Sequence, residues 1–207
     1  RIPSVAYYDR KYGENRWKVG NTYSISIGQG EMGVTPLQLA NLAAAIVNEG
    51  WYITPHLIKK IGKDGKPLPQ YTVKHQIPIN SAYFNHVKRA MGEVVRAGTA
   101  RRAFIGDIAV AGKTGTAQNP HGKDHSVFMS FAPLNNPKIV VAAYVENAGF
   151  GGTWAAPVAS LIIEKYLREN FPEYKHEKGP ITREYLENYV VSADLIGPTL
   201  KKKEGAQ

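Results

Sequence analysis

The chain has 207 residues, 43% of them hydrophobic, with 26 Lys+Arg against 17 Asp+Glu and no cysteine. This composition excludes a disulfide scaffold and a cysteine zinc site, and its apolar content excludes a disordered or collagen-like chain. The net charge of +9 lies within residues 1–170, because residues 171–207 hold six basic and six acidic side chains.

A basic surface favours anionic partners such as nucleic acid, lipid headgroups or carboxylate-bearing polymers, and it does not choose among them. A solvated basic face with no specific partner fits equally well. No run approaches the ~18 apolar residues that span a bilayer, and no signal-like segment opens the chain. The sequence starts at Arg1 without Met, so the expectation is a soluble piece from which upstream sequence has been removed.

Residues 1–34 read as irregular, with a short alternating run at 22–27. Thr35-Pro36-Leu37-Gln38 then carries the signals of a helix start: Thr35 as N-cap, Pro36 in the first turn and Gln38 closing a capping box. Leu39, Leu42, Ala43, Ile46 and Val47 follow at helical spacing, and Gly50 supplies a stop. Residues 51–61 have extended character, and the turn chemistry of 63–67 predicts two short strands joined there.

A second helix is predicted from Asn80 or Ser81, with Tyr83, Val87, Ala90, Met91, Val94 and Val95 as its apolar stripe and Gly98 as its end. Three strands follow at 108–118, 126–132 and 139–146. Pro133-Leu134-Asn135-Asn136-Pro137 predicts an antiparallel hairpin between the last two. A final helix over 153–170 is expected to turn Val158, Leu161, Ile162, Tyr166 and Leu167 to the core. Division into 1–170 and a loosely packed appendage at 171–207 follows from the fall in apolar density.

The most informative stretch is Gly112-Lys113-Thr114-Gly115-Thr116-Ala117-Gln118, on a predicted strand. Alternation sends Lys113 and Gly115 to one face and Thr114, Thr116 and Gln118 to the other. Lys113 offers a cation, Thr116 a hydroxyl, and Gly115 leaves the backbone open to a ligand. At a sheet edge, such a strand accepts an extended peptide as an added strand.

Lys-Thr-Gly is a signature of penicillin-interacting serine transferases. The three letters are weak alone, but the order of further segments strengthens them. Ser26-Ile27-Gly28-Gln29-Gly30, Thr35-Pro36-Leu37-Gln38-Leu39-Ala40, Gly98-Thr99-Ala100 and Phe128-Met129-Ser130-Phe131-Ala132-Pro133 accompany it in sequence. Over most of residues 17–170 the chain resembles the class B penicillin-binding proteins. Its Ile-Gly-Gln-Gly form is similar to the elongation type, penicillin-binding protein 2.

The resemblance implies the α/β (α+β) fold of penicillin-binding proteins and serine β-lactamases, an antiparallel sheet flanked by helices. Three of its five strands are expected here, with the N-terminal part of the domain missing. It also implies a parent serine DD-transpeptidase that cross-links peptidoglycan stem peptides through an acyl-enzyme, without a cofactor. Lys113 would then stand beside a relay serine. Thr114 and Thr116 would bind the carboxylate of D-Ala-D-Ala or of a β-lactam, across Gly115. The Thr116 N–H would form half of an oxyanion hole, and Gln118 would line the cleft.

One departure stands out: no serine here is followed at the third position by Lys or at the second by Asn. The nucleophile is therefore absent, and the isolated chain is predicted not to acylate. Implied partners are the missing upstream half of the domain and membrane proteins of the elongation machinery. The implied location is outside the cytoplasm, with the parent anchored in the cytoplasmic membrane. A β-lactam sensor or β-lactamase of the same fold, and a basic nucleic-acid-binding module, stand as alternatives.

His121 and His125 have a spacing that can hold zinc, yet they lie in a connection with no third ligand, so no metal is expected. Trp17, Trp51 and Trp154 read as packing residues rather than base-stacking platforms. Lys201-Lys202-Lys203 reads as a solvated tail. Ser126 and Ser130 lack a sequence-encoded base and are not nucleophile candidates. Burying only part of a sheet predicts exposed apolar surface, and with it dimerisation, swapping or dependence on the upstream half.

Overall fold

The computed structural model describes residues 2–63 and 65–175. Its centre is a three-stranded antiparallel sheet of β3 (Ala111–Ala117), β4 (His125–Ala132) and β5 (Ile139–Val145), in the order β3-β4-β5. The register runs from Ala111 opposite Phe131 to Ala117 opposite His125, and from Ser126 opposite Val145 to Ala132 opposite Ile139. The β4–β5 connection is the Pro133–Pro137 turn, closed by Lys138 N–H donating to the Ala132 carbonyl at 2.9 Å.

Alternation along β4 builds two cores. Phe128, Val141 and Ala143 face α5 (Ala155–Asn170), where Ala155, Ala156, Ala159, Ile163 and Leu167 pack with Val95 and Ile108. Phe131 and Ala111 face the opposite way, toward Met91 of α4 (Ser81–Arg96) and Ile46 and Val47 of α3 (Pro36–Val47). The chain is thus a mixed α/β layer structure with helices on both sheet faces.

α3 forms where its capping box predicts. The Gln38 N–H donates to Thr35 Oγ1 at 3.2 Å, and the Thr35 N–H donates to Gln38 Oε1 at 2.9 Å. Gly50, at φ +105°, follows the helix end and donates its N–H to the Ala45 carbonyl; a Cβ there would strike Phe84. α4 starts after Asn80, whose side chain accepts from Ala82 N–H.

Several expectations need correction. Residues 1–34 are not irregular throughout: α1 (Val5–Tyr12) and α2 (Val19–Ser26) lie there, and the alternating run at 22–27 is mostly helical. α1 is secured from outside, because Tyr8 is buried, stacks on Trp17 and donates to Glu31 Oε2. The extended reading of 51–61 shrinks to β1 (Trp51–Tyr52), which pairs antiparallel with β2 (His75–Gln76).

The facing of α5 also differs. Of the expected stripe only Leu167 is buried, while Val158, Ile162 and Tyr166 are exposed. Small residues let the helix approach the sheet closely, and buried Glu164 and Arg168 complete that face. On α4, likewise, Met91 and Val95 are buried with Phe84, whereas Tyr83, Val87 and Ala90 point outward.

Phe171 and Tyr174 pack against the α5-side core. Residues 176–207 of the expected appendage, including Lys201-Lys202-Lys203, lie outside the described residues. No helix among the described residues is long and apolar enough to cross a membrane.

Candidate active site

β3 is an edge strand, and hydrogen bonding fixes which of its groups face outward. The Gln29 Nε2 donates to the Thr116 carbonyl at 2.7 Å, so that carbonyl points away from β4. In an antiparallel ladder, the N–H and C=O of one residue share a direction, and the direction alternates. Gly112, Thr114 and Thr116 therefore turn their backbone groups to the free edge, while Lys113, Gly115 and Ala117 pair with Met129, Val127 and His125.

The Thr114 and Thr116 side chains share one cleft of about 470 Å³, bounded by Gly98, Thr99, Arg101 and Arg102 on one side and 150–153 on the other. The Thr114 and Thr99 hydroxyl oxygens lie 2.8 Å apart. Two arginines and four threonines give this cleft the donors that suit a carboxylate. The wall at 150–153 is held by buried Ser126, whose Oγ donates to the Phe150 carbonyl at 3.0 Å and accepts from Ala155 N–H at 2.9 Å. Gly151 rests so close to β3 that a Cβ would collide with the Val127 and Gly115 carbonyl oxygens.

Lys113 does not line this cleft. Its ammonium donates to the Thr114 carbonyl at 2.7 Å, at the free edge. Gly115 instead joins Thr116, Gly28, Gln29 and Tyr144 around a larger hollow of about 650 Å³. Gln118 has an exposed side chain, and its N–H donates to Gln29 Oε1 at 3.1 Å. Sequence reasoning passed over Thr99 and Gln29, although both stand in segments that carry the family resemblance. Polar side chains beside glycines in those segments were the available signal.

Neither Ser126 nor Ser130 is accessible: both are fully buried, and Ser130 Oγ donates to the Val141 carbonyl. His125 Nδ1 accepts from Asn147 N–H at 3.0 Å, and no three His, Cys, Asp or Glu side chains among the described residues gather to hold a metal ion. Trp17 donates to Asp9, and Trp51 lies under the Lys74 ammonium, 4.1 Å from the ring centre.

Residues 6–164 match the family of the penicillin binding protein transpeptidase domain. The peptidoglycan D,D-transpeptidase MrdA of Haemophilus influenzae is 38% identical over 202 residues, which take in 87% of this chain and 31% of that protein. The crystal structure of Pseudomonas aeruginosa PBP2 in complex with WCK 5153 is similar at a TM-score of 0.67 and 38% identity, covering 88% of this chain and 38% of that one. Penicillin-binding protein A from M. tuberculosis, as its imipenem acyl-enzyme complex, is similar at a TM-score of 0.60 and 31% identity, covering 70% and 33%. This chain spans about a third of the length of these relatives. A family match over most of the chain, on a fold shared with solved members, places the chain in the penicillin-binding protein transpeptidase family.

Proposed function

We propose that the chain is the C-terminal part of a serine DD-transpeptidase domain, the part that cradles the acyl donor. The observation that carries this reading is β3. It is an edge strand bearing Lys113-Thr114-Gly115-Thr116, with outward backbone groups at Thr114 and Thr116 and both threonine side chains in one polar cleft. An extended peptide ending in D-Ala-D-Ala fits such an edge by strand addition, its carboxylate against the Thr114 and Thr116 hydroxyls. A β-lactam presents a carboxylate to the same groups.

The serine nucleophile comes from sequence outside these 207 residues. Its hydroxyl attacks the carbonyl of the penultimate D-Ala, the terminal D-Ala leaves as the amine, and an acceptor amine then displaces the serine from the ester. The Thr116 N–H faces the free edge and supplies one oxyanion donor, and the nucleophile's own N–H supplies the other. Losing one such donor costs roughly 2.7–4 kcal/mol in comparable sites. Lys113, whose ammonium lies at that edge on the Thr114 carbonyl, supplies the charge that holds the relay serine. The reaction belongs outside the cytoplasmic membrane, where peptidoglycan is assembled. There the parent is anchored beside membrane proteins of the elongation machinery.

Fluorescent penicillin, read by intact mass, tests the reading on this chain and on one extended upstream through a Ser-x-x-Lys element. Labelling of the extended chain alone is expected. Labelling of the 207-residue chain would place the nucleophile within it, and labelling of neither would leave the fold without its chemistry.

A further inference from the structure

The cleft that holds the Thr114 and Thr116 side chains has no acid among its lining residues, and its cations come from one place, the 3₁₀ turn Arg101–Ala103. Lys113 does not contribute, since its ammonium sits on the Thr114 carbonyl. The two arginines are not equivalent. Arg102 Nη1 reaches the Thr153 carbonyl at 3.4 Å and so belongs to the wall at 150–153. Arg101 pairs with no acid among the described residues.

The backbone beneath Arg101 is fixed. Ala100 and Ala103, on either side of it, are fully buried in the α5-side core. The Ala100 N–H donates to the Val94 carbonyl at 3.0 Å, and the Ala103 N–H donates to the Ala100 carbonyl at 2.8 Å. Gly152 lies so near the Thr99 carbonyl that a Cβ would collide with it, so the turn and the 150–153 wall meet. Arg101 thus stands on an anchored turn, two residues from the Thr99 hydroxyl that meets Thr114 at 2.8 Å.

We propose that Arg101 is a specificity-determining residue, which supplies the positive charge that pairs with the carboxylate of the acyl donor. The inference deepens the transpeptidase reading and rests on it. Threonine hydroxyls give a carboxylate hydrogen bonds but no charge, and a carboxylate that leaves water for a cleft needs an opposite charge. A guanidinium also presents parallel N–H donors that match two carboxylate oxygens. The cleft therefore selects a donor with a free carboxylate over one in which that group is esterified.

The test compares benzylpenicillin with its methyl ester, which lacks the charge, as acylating agents of the upstream-extended protein, with rates read by intact mass. The unaltered protein is expected to react faster with the acid than with the ester. Arg101→Gln is expected to slow the acid about tenfold, the scale of one charge-assisted hydrogen bond, and to leave the ester's rate unchanged. Arg101→Lys keeps the charge without the fork and should recover part of the loss. Added salt should narrow the acid-to-ester ratio in the unaltered protein and leave it constant in Arg101→Gln.

A role confined to holding the turn would slow acid and ester together, so equal slowing overturns the proposal. An acid-to-ester ratio that Arg101→Gln leaves untouched overturns it as well. Absence of labelling in the unaltered extended protein overturns the transpeptidase reading instead.

Discussion

The Thr99 hydroxyl lies 2.8 Å from the Thr114 hydroxyl, tying the turn after α4 to the strand that bears Lys-Thr-Gly. Thr114 thereby holds one side-chain orientation toward the cleft. Thr99→Val preserves shape and removes the partner. Because both groups are near solvent, the stability cost is expected to stay below about 0.5 kcal/mol. Penicillin acylation of the upstream-extended protein is expected to slow about fivefold, the scale of one net hydrogen bond. An unchanged acylation rate would separate the pair from ligand binding.

Ser126 offers a sharper division between structure and chemistry. Its hydroxyl serves Phe150 and Ala155 in a place closed to solvent. Ser126→Ala strands a carbonyl and an N–H, which costs about 1–3 kcal/mol in urea unfolding. The penicillin adduct of the extended protein is expected to persist in this variant. Its disappearance from a still-folded variant would make Ser126 the nucleophile.

Arg168 joins α5 to two acids and one carbonyl. Nε donates to Glu164 Oε1 at 2.8 Å, Nη1 and Nη2 donate to Asp107 at 3.0 and 2.8 Å, and Nη1 also donates to the Tyr174 carbonyl at 2.6 Å. Asp107 first, then Glu164, raises the guanidinium pKa, against the opposing pull of burial. Arg168→Met leaves the fully buried Glu164 without its guanidinium, and about 3–5 kcal/mol is expected to be lost. Adding Glu164→Met is expected to recover part of the loss, since the buried charge goes as well. Additive losses in the double variant would rule out that coupling.

These particulars also show how far the sequence carries. Thr35 and Gln38 announced α3 because a capping box is a local device, complete within four residues. The three strands and their hairpin were legible through alternation and turn chemistry, and Lys113 to Gln118 fell on one strand as expected. The facing of α5 was not legible. Hydropathy favoured Val158, Ile162 and Tyr166, while the helix packs through Ala155, Ala156, Ala159 and the Arg168 network, whose acid Asp107 lies 61 residues away.

α1 was hidden for the same reason. Its hold on the protein is Glu31, about 20 residues along the chain. Gln29 stands in the Ile-Gly-Gln-Gly segment, but its bond to Thr116 spans 87 residues and leaves no local pattern.

Glu31 is the acid on which the N-terminal helix closes. Its Oε1 accepts from the Tyr12 hydroxyl at 2.6 Å and from the Lys11 ammonium at 3.0 Å, and its Oε2 accepts from the Tyr8 hydroxyl at 3.2 Å. The Tyr12 hydroxyl, then the Lys11 ammonium, holds the Glu31 carboxyl at about 2 against an ordinary 4.5. A carboxyl depressed in the folded state binds its proton more readily when unfolded. It therefore contributes stability in full above about pH 4.5, and that contribution drains away as pH falls toward 2. Glu31→Gln is expected to cost about 1 kcal/mol at neutral pH, given that the Lys11 side of the cluster is open to solvent and salt. The gap from the unaltered protein should close between pH 4.5 and 2, followed by the fluorescence of Trp17, which stacks on Tyr8. A gap of equal size at pH 2 and pH 7 would mean that Glu31 holds α1 by packing rather than by charge.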